Sequence, residues 1–388
     1  MKVVIISHTY IAPINRDKWK IFATMHPDVS LWVIFPRHWP TTLFSHEAVV
    51  SDFEQLPNCQ FIALDAQKEG NEVLYGYSFS LLYRLMKKIR PDLIHVEQGE
   101  AAFSYFQAII CNKLLRLHAK NIFFTWINWH PEQTLKYRLL WKPIERFNRN
   151  HSAGAIVGSE RAKEILEEKK FKKPIVVLPQ LGVNTSVFKP ALRVERALFR
   201  KKFHIGFIGR LVPEKGIFLL LDAFIKLSHQ FPDWSLVFVG DGPSLDQLQI
   251  HVVEHNLARQ VLFHPPVEHH DVAALLSDID ILVLPSFDTI QWTEQFGHVL
   301  IEAMACKIPV IGSTAGQIPY IIGSGGLIFE QKNQESLLAQ LQSLMQDEEK
   351  RKHLGKHGYE RVLAEYSHEV IADKTYDFWH RVMNAKHF

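Results

Sequence analysis

Short runs of apolar and β-branched residues recur along the whole chain of 388 residues, and each is followed by a polar or helix-like stretch. This alternation is typical of βαβ units, in which crossover helices join parallel strands. Twelve such runs occur, in chain order KVVIIS, SLWVIF, CQFIAL, DLIHV, NIFFTW, AGAIVG, PIVVLP, HIGFIG, SLVFVG, QVLFH, DILVLPS and PVIGS. The sequence therefore predicts an α/β fold built from parallel sheets.

The strand and helix rhythm restarts after the charged segment RVERALFRKKF, which predicts two sheets and a domain boundary near residues 190–202. A chain of this length with 47% hydrophobic residues can fill two cores. Two domains imply a cleft, and ligands of open parallel sheets bind beyond the carboxyl ends of the strands. Residues that directly follow the apolar runs are therefore the first candidates for function.

Cysteine content and charge limit the cellular setting and the partners. The three cysteines show no paired or metal-type spacing, so we do not expect a disulfide framework. We expect instead a reducing, cytoplasmic compartment. No stretch approaches the ~20 apolar residues of a membrane span. Net charge is +8 over residues 1–195 and −5 over residues 196–388. The basic half suits an anionic acceptor, membrane surface or nucleic acid, although solvated helix faces are the simpler explanation.

A phosphate-binding connection is indicated by GRLVPEKG, which follows the run HIGFI. Gly209 ends the predicted strand, and a glycine there lets the backbone approach a ligand closely. Arg210 supplies a forked donor and Lys215 a mobile point charge, a pairing suited to a diphosphate. The alternative is that both side chains are merely solvated in an exposed loop.

The stretch EQFGHVLIEAMACKIPV places Glu294 and Glu302 eight positions apart around a predicted helix start. Helical spacing of apolar residues begins at Val299, so the helix should start near Gly297. The free N–H groups of a helix N-terminus bind anionic phosphate, and flanking carboxylates accept hydrogen bonds from hydroxyl groups. The alternative is that Glu294 complements the helix dipole and Glu302 is an ordinary exposed residue.

These motifs resemble glycosyltransferase family 4, the retaining GT-B enzymes. The resemblance rests on the E-x7-E element EQFGHVLIE and its continuation EAMACKIPVI, and on GRLVPEKG, VGDGP, LPS and GSTAGQIPYII. The run LPQLGVNTSVFKP is similar to the family's interdomain segment. The resemblance is close over residues 175–330 and otherwise covers strand order and VGSERAKEIL.

The resemblance implies two Rossmann-like, doubly wound domains facing a central cleft. The first would cover residues 1–195, with a C-terminal helix at about 373–388 packing back on it, and the second residues 196–372. The catalytic residues so implied are Arg210, Lys215 and Glu294. The implied donor-binding residues are Gly209, Phe296, Gly297, His298, Val299 and Glu302. The family also implies a nucleotide diphosphate sugar as co-substrate and neither a metal nor another cofactor.

The chain departs from the family on the acceptor side. Ile14 and Asn15 stand about where family members place a glycine pair, with Arg16 next, so the first loop is rebuilt. The family's histidine after the fifth strand is replaced by Ile127, with Asn128 or His130 as substitutes. The acceptor-side candidates are therefore Asn15, Arg16, Glu97, Glu100 and Asn128, all of which follow predicted strands.

Other chemistries have weaker signals. HVVEH at residues 251–255 matches the H-x-x-E-H pattern of zinc proteases, but with 21 histidines a chance match is easy and no third ligand appears at a telling spacing. GDGPSL lacks the third glycine of the dinucleotide fingerprint, and neither a G-x-S-x-G elbow nor a Walker loop is present. A protease, nicotinamide, serine hydrolase or P-loop enzyme is not predicted.

The sequence thus predicts a metal-independent, retaining hexosyltransferase that acts on a saccharide or lipid-linked acceptor in cell-envelope or exopolysaccharide synthesis. We expect it in the cytoplasm or peripheral at the inner face of the membrane, without a nucleic-acid partner. Two alternatives stay open. One is a nucleotide-sugar epimerase or hydrolase of the same fold, and the other is a non-catalytic sugar or nucleic-acid binding module.

Overall fold

The computed structural model describes residues 1–40, 45–47, 55–127, 137–191, 202–290 and 292–385. The chain forms two compact units, unit 1 from Met1–Leu181 with His368–Phe388 and unit 2 from Gly182–Ser367. The predicted boundary between residues 195 and 196 lies outside the described residues. The chain enters unit 2 at Gly182 and returns to unit 1 at His368, against a predicted return at about residue 373.

Unit 1 is built on a seven-stranded parallel sheet in the order β11-β10-β9-β8-β1-β2-β5, to which β3-β4 and β6-β7 add two antiparallel pairs. Its strands are β1 (Lys2–Ile6), β2 (Ser30–Pro36), β3 (His38–Pro40), β4 (Ser45–Glu47), β5 (Cys59–Leu64), β6 (Ala66–Gln67), β7 (Gly76–Tyr77), β8 (Leu93–Val96), β9 (Lys120–Thr125), β10 (Gly154–Val157) and β11 (Ile175–Val177). Its helices before unit 2 are α1 (Asp17–Met25), α2 (Phe79–Ile89), α3 (Phe103–Leu114), α4 (Lys142–Asn150) and α5 (Glu160–Glu168). Short 3-10 helices cover His8–Ile11 and Pro13–Arg16, and a π-helix covers Tyr137–Trp141.

Unit 2 is built on a six-stranded parallel sheet in the order β14-β13-β12-β15-β16-β17. Its strands are β12 (Phe203–Ile208), β13 (Trp234–Val239), β14 (Val261–His264), β15 (Ile281–Leu284), β16 (Val310–Ser313) and β17 (Gly326–Phe329). Its helices are α6 (Ile217–Ser228), α7 (Leu245–Glu254), α8 (His269–Leu276), α9 (His298–Ala305), α10 (Ile318–Ile322), α11 (Gln334–Gln346) and α12 (Glu348–Glu365). A 3-10 turn at Pro213–Lys215 precedes α6.

The predicted class of fold is confirmed, because both main sheets are parallel and each of the twelve predicted runs overlaps one of their strands. Strand β17 was not predicted. It lies in GSGGLIF, where three glycines stand beside only three apolar residues, so the run lacks the apolar length of the others.

The strand order fixes where a ligand can bind in each unit. In unit 1, β1 lies between β2 and β8, and in unit 2, β12 lies between β13 and β15. The connection after the central strand and the connection after its neighbour that comes later in the chain, β8 or β15, lie on opposite faces of the sheet. The resulting crevice at the carboxyl ends is the usual ligand site of doubly wound sheets. The segments after β1, β8, β12 and β15 are therefore the ones that matter.

The last helix, α13 (His368–Asn384), completes the core of unit 1 by packing against α1. The indole rings of Trp19 and Trp379 stack with centroids 5.7 Å apart, and both side chains are fully buried. Phe22 lies against the same Trp379 ring at 4.9 Å. Within the described residues, no helix is long and apolar enough to cross a membrane.

We expect Trp379→Ala to lower the free energy of unfolding by about 3–5 kcal/mol, because it leaves a cavity beside Trp19 and Phe22. Lys374→Ala on the exposed side of α13 is the matched control and should change stability by less than about 0.5 kcal/mol. Urea denaturation followed by circular dichroism measures both. Equal stability of the two variants would show that α13 does not contribute to the core of unit 1.

Candidate functional site

The candidate site of unit 2 begins where the loops after β12 and β15 touch. Gly216 has φ +70°, and a Cβ on it would lie 2.0 Å from the carbonyl oxygen of Pro285, so only glycine fits. The Phe287 amide donates to the Glu214 carbonyl oxygen at 2.9 Å. These contacts hold the loop that carries Lys215 against the loop that leads to Glu294.

Lys215 and Glu294 form the central ion pair of the site, with Nζ 2.6 Å from Oε2. The Ser286 hydroxyl donates to the same carboxylate oxygen at 2.9 Å. The Lys215 ammonium also lies 5.0 Å from the ring centroid of Trp292. The Glu294 side chain is 10% exposed and the Lys215 side chain 19% exposed, so the pair is largely shielded yet reachable.

Arg210 follows Gly209 at the end of β12 and is exposed. Its side chain forms no hydrogen bond or ion pair with the residues that the structure describes. The Arg210 guanidinium, in the same loop as Lys215, is therefore a cation without an ion-pair partner among the described residues. Such a group is available to an anion that arrives from solution.

Helix α9 starts as the sequence predicts, with Gly297 before it and His298 as its first residue. Gly297 is left-handed at φ +79° and, as a glycine, supplies no side-chain cap to α9. Phe296 is buried, while His298 and Val299 are partly exposed. The start of α9 thus lies beside Glu294.

Glu302 lies on α9 and is buried, which differs from an ordinary exposed helix residue. Its Oε1 is 2.8 Å from Nε2 of His269, the first residue of α8, and Phe188 packs edge-on against that imidazole at 5.4 Å. Carboxylates fixed in this way are preorganised acceptors for hydroxyl groups.

Residues 188–361, nearly all of unit 2, match the family model of glycosyl transferases group 1. Unit 2 therefore belongs to the glycosyl transferases group 1 family. The resemblance seen in the sequence is confirmed. The cationic loop, the ion pair and the buried carboxylate all lie within the part of the chain that the family covers.

Two relatives illustrate the likeness of this group 1 domain to known proteins. An uncharacterized glycosyltransferase of Methanocaldococcus jannaschii is 33% identical over 156 residues, which are 40% of this chain and 41% of the relative. A GDP-mannose-dependent monoacylated alpha-(1-6)-phosphatidylinositol monomannoside mannosyltransferase of Corynebacterium glutamicum is 30% identical over 50% of this chain and 53% of its own length. The chain thus spans about half the length of these relatives.

Among solved structures, Anabaena HepE in complex with UDP is similar with a TM-score of 0.71 and 15% identity, covering 98% of this chain and 100% of HepE. At this identity the match concerns the fold. It confirms the predicted GT-B fold with two Rossmann-like units.

In unit 1, the rebuilt first loop is held by its own side chains. Asn15 Nδ2 donates to the Thr9 carbonyl oxygen at 2.9 Å. Arg16 is fully buried, and its Nε and Nη2 donate to the carbonyl oxygens of Tyr10 and Ile11 at 2.8 and 2.9 Å. In this conformation Asn15 and Arg16, both predicted to lie on the acceptor side, stabilise the loop, and the Arg16 guanidinium is not accessible to a ligand.

Glu97 follows β8 and is the centre of a buried polar network. Its Oε1 accepts from Lys18 Nζ at 2.8 Å, and its Oε2 accepts from the hydroxyl of Tyr10 and, at 3.3 Å, from Gln180 Nε2. Burial acts to raise the pKa of the Glu97 carboxyl, but Lys18 and its other partners hold the pKa below its usual value. Burial lowers the pKa of nearby His95 to about 4, so the ion pair persists beside a neutral imidazole.

Among the remaining acceptor-side candidates, Glu100 lies in the described part of the chain. Glu100 is buried and its Oε1 is 2.7 Å from Lys169 Nζ, while Lys169 also pairs with Glu145 at 2.9 Å. Asn128 and His130 lie outside the described residues. The acceptor-side roles stay predictions.

Three side chains of the unit 2 site were not among the predicted catalytic or donor-binding residues. Ser286 lies in the LPS motif, His269 begins α8, and Trp292 stands two positions before Glu294. Each contacts a predicted residue across the fold. LPS itself was the available signal for Ser286, because it directly follows a predicted strand, whereas no local pattern pairs His269 with Glu302.

We expect Lys18→Met to lower the free energy of unfolding by about 3–5 kcal/mol at pH 7, because it leaves the buried Glu97 charge unpaired. Since the native carboxyl pKa is held low, the wild-type pair stabilises above the ordinary carboxyl pKa and loses that effect as pH falls through the native value. The cost of Lys18→Met should therefore shrink toward pH 4. Urea denaturation at pH 7 and pH 4 measures both effects.

Two further variants complete this experiment. Adding Glu97→Gln should recover most of the lost stability, because no buried charge remains. Lys20→Met, on the same helix and in the partly exposed Lys20–Asp17 pair, should cost less than about 1 kcal/mol. A pH-independent cost of Lys18→Met would contradict the assignment of an ionised Glu97.

Proposed function

We propose that this protein is a retaining glycosyltransferase that moves a sugar from a nucleotide diphosphate sugar to a saccharide or lipid-linked acceptor. The observation that carries the proposal is the Lys215–Glu294 ion pair beside the start of α9. It joins a cation for phosphate and an acceptor for sugar hydroxyls at the N-terminus of a helix. The group 1 family match of unit 2 supports it.

Arg210 and Lys215 would stabilise the diphosphate as it leaves. In the proposed reaction, the bond from the sugar C1 to the phosphate oxygen breaks and a bond from C1 to the acceptor oxygen forms on the same face. The acceptor hydroxyl gives its proton to the departing phosphate. Positive groups aimed at the developing phosphate charge are a sufficient electrostatic device, so no metal is needed in this scheme.

Glu294 and Glu302 would divide the hydroxyl groups of the donor. Glu302, held by His269, would accept from the ribose, and Glu294 with the residues from Phe296 to His298 would hold the transferred sugar. Lys215 is more exposed than Glu294, so its ammonium can turn to an arriving diphosphate. That exchange would free the Glu294 carboxylate for the sugar.

For the acceptor, we propose a glycan or lipid-linked saccharide of the cell envelope or of an exopolysaccharide, reached at the inner face of the membrane. The basic balance of residues 1–195 favours an anionic surface or acceptor. The Corynebacterium glutamicum relative is named for transfer of mannose to a phosphatidylinositol mannoside, a lipid-borne sugar.

The donor is tested first by thermal shift of the purified protein against UDP-, GDP-, ADP- and CMP-sugars. A ligand that binds the native state raises the melting midpoint by mass action, so the responding nucleotide identifies the donor class. Glu302→Ala should abolish the shift, whereas Glu335→Ala on the exposed face of α11 should retain it. Failure of every nucleotide sugar to stabilise the wild-type protein would count against the proposal.

We expect Lys215→Ala to lower kcat by about 10²- to 10³-fold, the scale for one preorganised charge-stabilising donor. Lys226→Ala is the matched control, because Lys226 also forms a 2.6 Å ion pair in unit 2, with Glu335, but at the exposed surface. Its kcat should equal that of the wild type. An unchanged kcat in Lys215→Ala would remove Lys215 from the reaction.

The same assay separates the alternatives. Turnover of the donor without an acceptor would indicate an epimerase or hydrolase. Donor binding without turnover of any kind would indicate a non-catalytic binding module.

A further inference from the structure

Helix α7 of unit 2 carries a group of metal-ligand side chains outside the candidate donor site. His251, Glu254 and His255 each offer one ligand atom, and these atoms all lie within 4.8 Å of one another. In the part of the chain that the structure describes, this is the one group of three or more His, Cys, Asp or Glu side chains with such spacing. We propose that it binds a divalent transition-metal ion, with Zn²⁺ as the first candidate.

Helical spacing brings the three side chains together. Positions i, i+3 and i+4 lie on one face of a helix, and the imidazole centroids of His251 and His255 are 4.6 Å apart. The side chains of His251 and Glu254 are 32% and 63% exposed, and His255 is exposed, so an ion can enter from solution. Small rotations about the side-chain bonds are enough to bring the three ligand atoms to one centre.

Hydrogen bonds fix which nitrogen of each imidazole carries a lone pair. His255 Nδ1 is 2.9 Å from the His251 carbonyl oxygen, which can only accept, so His255 has its proton on Nδ1 and its lone pair on Nε2. His251 Nε2 is 2.8 Å from Asp222 Oδ1, and donation to that carboxylate leaves the lone pair on Nδ1. His251 Nδ1 is also 3.8 Å from Glu254 Oε2.

Asp222 acts as a positioning residue from a second helix, α6. A carboxylate that accepts the second ring N–H of a metal-binding histidine orients the imidazole and raises its basicity. His251 and Asp222 show this arrangement. A bound ion would therefore be supported by both α6 and α7.

The donor set selects the class of metal. Two imidazole nitrogens and one carboxylate oxygen suit Zn²⁺, Ni²⁺ or Cu²⁺, whereas Mg²⁺ and Ca²⁺ prefer oxygen ligands alone. Glu254 serves as a ligand in this arrangement, which differs from the general base of the zinc-protease pattern that HVVEH matches. The proposed site shares no residue with the candidate donor site.

The chain offers a matched control on α12. His353 and His357 have the same i, i+4 spacing, and their ring centroids are 4.1 Å apart. No described carboxylate joins them to form a group of three ligands. Substitution of His353 and His357 also removes two imidazoles from the protein, but it leaves the proposed site unchanged.

The test is isothermal titration of the tag-free protein with ZnCl₂. We expect one strong site in the wild type and in His353→Gln/His357→Gln, and loss of that site in His251→Gln/His255→Gln. Asp222→Asn should weaken the binding by about 10- to 100-fold, the usual effect of removing the hydrogen-bond partner of a metal ligand. Binding of equal affinity and stoichiometry in His251→Gln/His255→Gln would overturn the proposal, as would the absence of a strong site in the wild type.

A second readout separates loss of metal from loss of fold. The metal-free melting midpoints of wild type and variants should agree closely, because the substituted side chains are exposed or partly exposed, and saturating Zn²⁺ should raise the midpoint in the wild type and the control pair. If His251→Gln/His255→Gln is unstable without metal, Glu254→Gln provides the same test at an exposed ligand. A full Zn²⁺ response in Glu254→Gln, with unchanged affinity, would contradict the three-ligand site.

Discussion

Gly216 lets the loop after β12 lie directly against the loop after β15, and the candidate donor site depends on this contact. The two loops leave neighbouring strands toward opposite sides of the sheet, so they approach only at the carboxyl edge. A Cβ at Gly216 would overlap the backbone of Pro285 and push the loops apart. The distance between Lys215 and Glu294 is therefore set by backbone packing as well as by attraction between their charges.

The two units use charge differently at the equivalent edge of the sheet. In unit 1, the side chains of Lys18 and Glu97 are 3% and 1% exposed, so each charge is balanced inside the protein. In unit 2, the Lys215–Glu294 pair is partly accessible, and the exposed Arg210 side chain has no ion-pair partner among the described residues. A buried, balanced pair fixes a loop, whereas an accessible cation can bind an anion.

The sequence predicts the sheets well because each buried parallel strand needs a continuous apolar run. It also predicts the start of α9, since Gly297 precedes a clear helical pattern. It could not predict β17, whose glycine-rich run has few apolar residues, nor the contact of His269 with Glu302, which are 33 positions apart. That contact depends on how α8 and α9 pack, and local propensity carries no information on it.

The rebuilt first loop shows how a family pattern can change without strain. Ile14 and Asn15, at the place of the family's glycine pair, lie in a 3-10 helix, and no residue from Ser7 to Arg16 has a positive φ. Ordinary side chains therefore fit the backbone there, and the Asn15 and Arg16 hydrogen bonds stabilise it. The motifs that the resemblance assigns to the donor lie in unit 2, whereas the departures on the acceptor side fall in unit 1. Under the proposed function, this chain should therefore differ from its relatives more in the acceptor that it uses than in how it binds the donor diphosphate.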